Sequence, residues 1–150
     1  MRRLILCLML AGCATSGPDE DARMTSMVAF DPVSFAGRWH VVEGVAGTDC
    51  ASYDFSAQGA VSAACAGGLQ QGTARLSGPG RMTVVLGGRR EEYRVMWVDA
   101  DYRTAVIGTP SRRLGVILNR QPSIPADRLR AAREVMDWNG YDVAALRDAQ

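Results

Sequence analysis

Between Gly37 and Arg120 the chain is broken at nearly even intervals by turn-forming residues. They are Gly47-Thr48-Asp49, Gln58-Gly59, Gly67-Gly68, Gly78-Pro79-Gly80, Gly87-Gly88, Asp99-Ala100-Asp101 and Thr109-Pro110-Ser111. Glycine reaches the positive φ that tight turns need, proline presets φ, and aspartate bonds to its own backbone. Seven breaks leave eight segments, and the 84 residues from 37 to 120 average 10.5 per segment with its turn. That interval belongs to antiparallel strands in a sandwich or barrel and is too short for a helical repeat. Alternation within the segments agrees: Trp39, Val41, Glu43 and Val45 share one face, as do Tyr93, Val95 and Trp97, and Val116, Leu118 and Arg120.

Past Arg120 the period changes. Leu129, Ala132, Val135 and Met136 recur at helical spacing, and Asn139-Gly140 stops the run. Ser123 is placed to cap this helix and Pro125 to occupy its first turn. The stripe is narrow and its polar side carries Asp127, Glu134 and Asp137 as well as arginines. It therefore reads as a helix packed outside the barrel rather than one laid on a membrane.

Charge excludes several classes of function. All 17 basic residues are arginine, against 16 acids and a single histidine, His40. Without lysine there is no Schiff base and no phosphate-loop lysine. A near-neutral chain has no basic face for nucleic acid. No run of Cys and His has metal-site spacing, so neither metal nor cofactor is expected. His40 alternates away from Trp39 and reads as half-exposed and structural. No acidic pair has a clear catalytic spacing, which argues for a binding protein rather than an enzyme.

The start of the chain predicts its location. Met1-Arg2-Arg3 is basic, Leu4 to Leu10 is apolar, and Leu10-Ala11-Gly12-Cys13 follows. Seven apolar residues are too few to span a bilayer, which needs ~20 in a helix, so the segment reads as a secretion signal. The tetrad resembles the bacterial lipoprotein lipobox, which implies cleavage before Cys13 and acylation of that cysteine. Ala14 is similar to a sorting residue for the outer membrane. The expected organisation is a signal peptide at 1–12, a lipidated cysteine and flexible tether at 13–29, and a barrel with its helix at 30–150. The anchored protein would face the periplasm.

Cys7 would leave with the signal and Cys13 would carry lipid, so Cys50 and Cys65 remain. Their midpoint falls between residues 57 and 58, at the Gln58-Gly59 turn, which places them nearly opposite across a hairpin. In an oxidising compartment they are expected to form a disulfide. A redox-active pair is the alternative, although Cys-x-x-Cys spacing is lacking.

Three motifs together resemble the lipocalins, and in particular bacterial outer-membrane lipocalins: Phe35-Ala-Gly37-Arg-Trp39, Asp99-Ala-Asp101-Tyr102-Arg-Thr-Ala-Val-Ile-Gly108, and Val116-Ile-Leu-Asn-Arg120-Gln-Pro122. The resemblance covers about residues 30 to 147. It implies an all-β, eight-stranded antiparallel up-and-down barrel with a C-terminal α-helix outside. It further implies that Trp39 plugs the closed end under Arg120 in a cation-π contact, that Gly37 lets the entering chain pass close beneath, and that Asp101 and Tyr102 fix a neighbouring turn. The short span between the first two motifs suggests small loops and a shallow cavity, and the small residues at Ala57, Ala60, Ala63, Ala64, Ala66, Gly67 and Gly68 either leave room or weaken the wall.

An eight-stranded barrel is either filled by side chains or holds one small ligand. By alternation and motif phase, the inward, ligand-binding candidates are Val41, Glu43 and Val45, then Tyr53 and Phe55, Tyr93, Val95 and Trp97, and finally Val116 and Leu118. Such a lining suits a small hydrophobic ligand of the fatty acid or lysophospholipid class. Glu43 would need a cation, a ligand headgroup or a place at the solvated mouth. The alternative is a filled barrel acting as a lipid-anchored module that binds or inhibits an envelope protein.

Overall fold

A computed structural model describes residues 24–149. A one-turn helix α1 (Pro32–Phe35) leads into β1 (Gly37–Gly44), β2 (Cys50–Phe55), β3 (Ala60–Cys65), β4 (Gly68–Gly78), β5 (Arg81–Leu86), β6 (Arg89–Val98), β7 (Thr104–Gly108) and β8 (Gly115–Asn119). Helix α2 (Ala126–Trp138), a 3₁₀ turn at Val143–Ala145 and the two-residue β9 (Arg147–Asp148) complete the chain. Each of the first seven strands pairs antiparallel with the next, and β1 closes the barrel by pairing with both β2 and β8. The eight segments are those expected from the turns, and the up-and-down order is that implied by the resemblance to lipocalins. No described helix is long and apolar enough to cross a membrane.

β9 was not foreseen. β2 accompanies β1 only from Gly37 to His40, and beyond that β9 bonds to the freed edge at Glu43 and Gly44. An edge left open where two strands part is covered instead of being exposed.

Two layers of apolar packing result. The interior contains Trp39, Val41, Tyr53, Phe55, Val84, Tyr93, Val95, Val116 and Leu118, among others, and no residue of α2. The outer layer joins Met96, Val106 and Ile117 of the wall to Ala132 and Met136 of α2, with Leu129 and Val135 alongside. β7 and β8 are buried at every position because both of their faces are covered. The helix begins two residues later than Ser123 suggested: Pro125 stands at its N-cap, and the Ser123 carbonyl instead accepts from Asn119 Nδ2 at 2.7 Å.

Residues 24–30 form a strap across the wall rather than a free tether. Met24 is buried in the outer layer, Thr25 N donates to Asn139 Oδ1 at 2.7 Å, and Met27 N donates to the Val95 carbonyl at 2.8 Å. The expectation of a flexible tether through residue 29 is thus corrected for its last six residues, since Met24 and Met27 have apolar surface to bury. The signal, Cys13 and the earlier tether lie outside the described residues.

The strap and α1 cross one end of the barrel, over its tryptophan floor. Trp39 is fully buried, its Nε1 donates to the Phe35 carbonyl at 2.8 Å, and the Arg120 guanidinium lies 3.7 Å from its ring centroid. Arg120 also donates to the carbonyls of Tyr102, Arg38 and Ser34 at 3.1, 3.0 and 2.9 Å, tying four chain segments together. Gly37 has φ +99°, and a Cβ there would lie 3.3 Å from Arg120 Nη1, so both conformation and space call for glycine. The β6–β7 turn is organised mainly by Asp99, whose Oδ1 accepts from the backbone N–H groups of Arg103 and Thr104 and whose Oδ2 accepts from Arg103 Nε at 3.0 Å. Asp101 contributes only an exposed ion pair to Arg103 at 2.8 Å, while the Tyr102 hydroxyl accepts from Asp31 N at 2.9 Å.

Candidate functional site

The other end of the barrel is open. The β1–β2, β3–β4, β5–β6 and β7–β8 connections surround a cavity of about 380 Å³. Val84, Leu86 and Leu114 supply apolar walls, Tyr53 and Tyr93 bring hydroxyls inside, and Thr48, Asp49, Gln70, Arg89, Glu91 and Arg113 form the rim. The rim balances two cations with two anions, so it presents no single sign of charge to an approaching ligand.

Three hydroxyls in this cavity lack protein partners. Thr48 Oγ1 is buried without a hydrogen bond, and neither tyrosine hydroxyl has one among the described residues. Burial pushes the Tyr93 phenol up to about 12, with Glu91 adding to the effect. Burial likewise raises that of Tyr53, assisted by Tyr93 and Asp49 nearby. Both therefore stay protonated at neutral pH and can donate. All three hydroxyls are placed to hydrogen-bond the polar group of a guest.

Disulfide Cys50–Cys65 borders this mouth, joining residues that face each other across β2 and β3. Asp49 and the two sulfurs form the one cluster of metal-ligand residue types among the described residues. With both sulfurs bonded to each other, the cluster offers no thiolate to an ion.

The sequence-predicted ligand residues divide into three groups. Tyr53 and Tyr93 line the cavity. Val41, Val95, Val116 and Leu118 face the interior but lie deeper, where they fill the barrel, and Phe55 faces the interior toward the opposite end. Glu43, Val45 and Trp97 are corrected: all three stand on the outside. The register slips between Val41 and Glu43 in β1, and again between Val95 and Trp97 in β6. Each β-bulge adds one residue, which reverses the inward–outward phase beyond it. Glu43 thereby sits opposite Ile117 of the outer layer and accepts from Arg133 of α2, with Nε at 2.8 Å from Oε2 and Nη2 bonded to Oε1. Trp97 sits opposite Val106, and Val45 packs against the outer layer.

Sequence reasoning missed Thr48, Val84, Leu86 and Leu114 in the cavity. The alternation Met82, Val84, Leu86 along β5 is a signal that would have found two of them. Thr48 and Leu114 sit in loops, where period carries no information. His40 is half-buried on the face opposite Trp39, and no histidine lines the mouth.

Comparison with known proteins agrees with this architecture. A family model described as "Lipocalin-like domain" matches residues 71–150. Cockroach allergen Per a 4 superposes with TM-score 0.66 at 14% identity, covering 84% of this chain and 91% of that one. Insecticyanin from the tobacco hornworm Manduca sexta gives 0.64 at 14%, covering 85% and 84%. The amine binding protein of Rhodnius prolixus, in its tryptamine complex, gives 0.54 at 16%, covering 83% and 82%. No curated protein sequence matches the chain. With the match over residues 71–150 added to the closed eight-stranded barrel and the tryptophan–arginine floor, the chain belongs to the lipocalin-like family.

Proposed function

We propose that this protein is a membrane-tethered carrier that holds a small, single-chain amphiphile in the open end of its barrel. The observation behind this reading is the cavity itself: a space of about 380 Å³ with apolar walls and three hydroxyls that have no protein partner. Allowing ~30 Å³ for each water-sized group, it accepts on the order of a dozen non-hydrogen atoms. That suits a medium-chain fatty acid, or part of the chain of a lysophospholipid whose headgroup remains at the charged rim. Each buried methylene contributes ~0.8 kcal/mol before ordering costs are deducted. The tether is inferred from the lipobox-like Leu10-Ala11-Gly12-Cys13, and Ala14 supports an outer-membrane, periplasm-facing location. The cavity also favours a carrier over a filled-barrel inhibitor, which would need none.

The test is native mass spectrometry of the chain carrying Cys13→Ser, secreted to the periplasm and purified without detergent. A discrete lipid-sized adduct, or adduct formation on adding dodecanoate or lysophosphatidylcholine, is expected. Val84→Trp, which fills the cavity from its wall, should abolish that adduct. A bare mass with both probes would refute the carrier and turn attention to a protein partner.

A further inference from the structure

The larger opening in this barrel lies at the end that the tryptophan plug was expected to seal. Leu76 of β4 sits directly opposite Met82, which is 5% exposed and belongs to the interior, yet Leu76 itself is 53% exposed. Opposed residues on antiparallel strands share a face, so this leucine points inward and still meets solvent. The cause is a cleft of about 690 Å³ between α1, the β2–β3 turn and β4. Its inner wall is aromatic: Phe30, Phe35 and Phe55 stand with ring centroids 5.1 and 5.2 Å apart in succession, beside Met82.

Small residues keep this space open. Ala57 and Gly59 in the β2–β3 turn contribute almost no side chain to it. Gly59, at φ +91°, folds the turn onto β4, where its carbonyl accepts from Ala74 N at 2.8 Å. A Cβ at Gly59 would come within 3.0 Å of the Ala74 carbonyl oxygen. The outer wall is therefore backbone and alanine, and the barrel leaves an apolar slot where another sequence could place a bulky plug.

Charge selects the occupant. No acid lines the cleft, and its one charged residue is Arg75 on the outer face of β4 at the rim. Arg75 has no ion-pair partner among the described residues. A long arginine stem lies along apolar surface while its head reaches for an anion.

We propose that this cleft is a second ligand site, separate from the mouth, which takes the hydrocarbon chain of a single-chain carboxylate and holds its head at Arg75. The site does not rest on the mouth reading, because the two cavities have no lining residue in common.

Methyl-resolved NMR of the whole chain, carrying Cys13→Ser, with dodecanoate and dodecanol as probes separates the two. Dodecanoate is expected to shift the methyls of Leu76, Met82 and Ala57. Leu76→Trp, at a position that already meets solvent, should suppress the Met82 shift. Arg75→Gln should weaken dodecanoate about tenfold and leave dodecanol unchanged. Shifts confined to Val84, Leu86 and Leu114 would overturn the second site while supporting the mouth, and no shifts at either end would refute both readings. Equal weakening of both probes by Arg75→Gln would overturn the carboxylate assignment. Shifts that follow protein concentration rather than probe would show that a second copy covers the cleft, and would overturn the proposal.

Discussion

Glu43 offers the sharpest check on the barrel's geometry, because the alternation of β1 places it inside and the bulge places it outside. It is 2% exposed and meets Arg133 in a two-pronged pair that joins the barrel wall to α2. Removing one member of a buried pair leaves an uncompensated charge and costs ~3–5 kcal/mol. The Arg133 side chain is 48% exposed, so water can reach the abandoned carboxylate and the cost falls to ~2 kcal/mol. For a domain of this size that corresponds to roughly 6 °C in Tm. Arg133→Leu should therefore lower Tm by about this amount, whereas Glu43→Leu with Arg133→Leu should recover most of the loss, since apolar replacement of a buried pair is often neutral. Thermal and urea unfolding of the four proteins give the coupling energy, expected at ~1–2 kcal/mol. A loss under ~0.5 kcal/mol for Arg133→Leu would refute the pairing. A Glu43→Gln variant of unchanged stability but altered ligand binding would place Glu43 inside and remove the bulge from the argument.

Arg120→Lys should cost ~2 kcal/mol in urea unfolding, since an ammonium cannot stack on Trp39 while reaching three carbonyls. Burial acts to raise Asp99, but the backbone N–H groups of Thr104 and Arg103 and the Arg103 guanidinium outweigh it and hold the carboxyl below its ordinary value. Its contribution is thus present above the unfolded value of ~3.9 and is lost as pH falls through the lower folded value. Acid titration followed by circular dichroism should show that loss below about pH 4, and Asp99→Asn should flatten it. Replacing both Cys50 and Cys65 with serine should lower stability by ~3 kcal/mol in chemical denaturation, given the separation of 15 residues, and a mass of the native protein two hydrogens below the reduced value would confirm the bond.

The motifs at the closed end were legible because each is a local instruction. Gly37 supplies a backbone conformation, Trp39 a bulky apolar plug, and Arg120 a cation just past β8, and the structure brings them within contact. The Cys50–Cys65 pairing was legible for a similar reason, since the two cysteines flank a turn nearly symmetrically. The cavity was less so. Tyr53 and Tyr93 lie on stretches of β2 and β6 where the alternation is unbroken, but half of the lining comes from loops and from β5. Asp99, rather than the motif's Asp101, organises the turn because only its carboxylate lies under the exposed N–H groups of Arg103 and Thr104.

The sequence by itself determined the eight barrel segments and the helix after them, since turn chemistry and hydrophobic period act between neighbours in the chain, while the strand order and the floor of the barrel were legible through the motifs that resemble the lipocalins. Tertiary structure decided where the period is interrupted. The bulges in β1 and β6 and the added strand β9 all occur where the wall meets α2 and its tail. Closing eight strands around a core while packing one flank against a helix requires an extra residue at those points, and alternation in a single strand carries no trace of that demand. The same closure moved Glu43 and Trp97 outside and left an inward leucine, Leu76, exposed at an end that the motifs alone would have sealed.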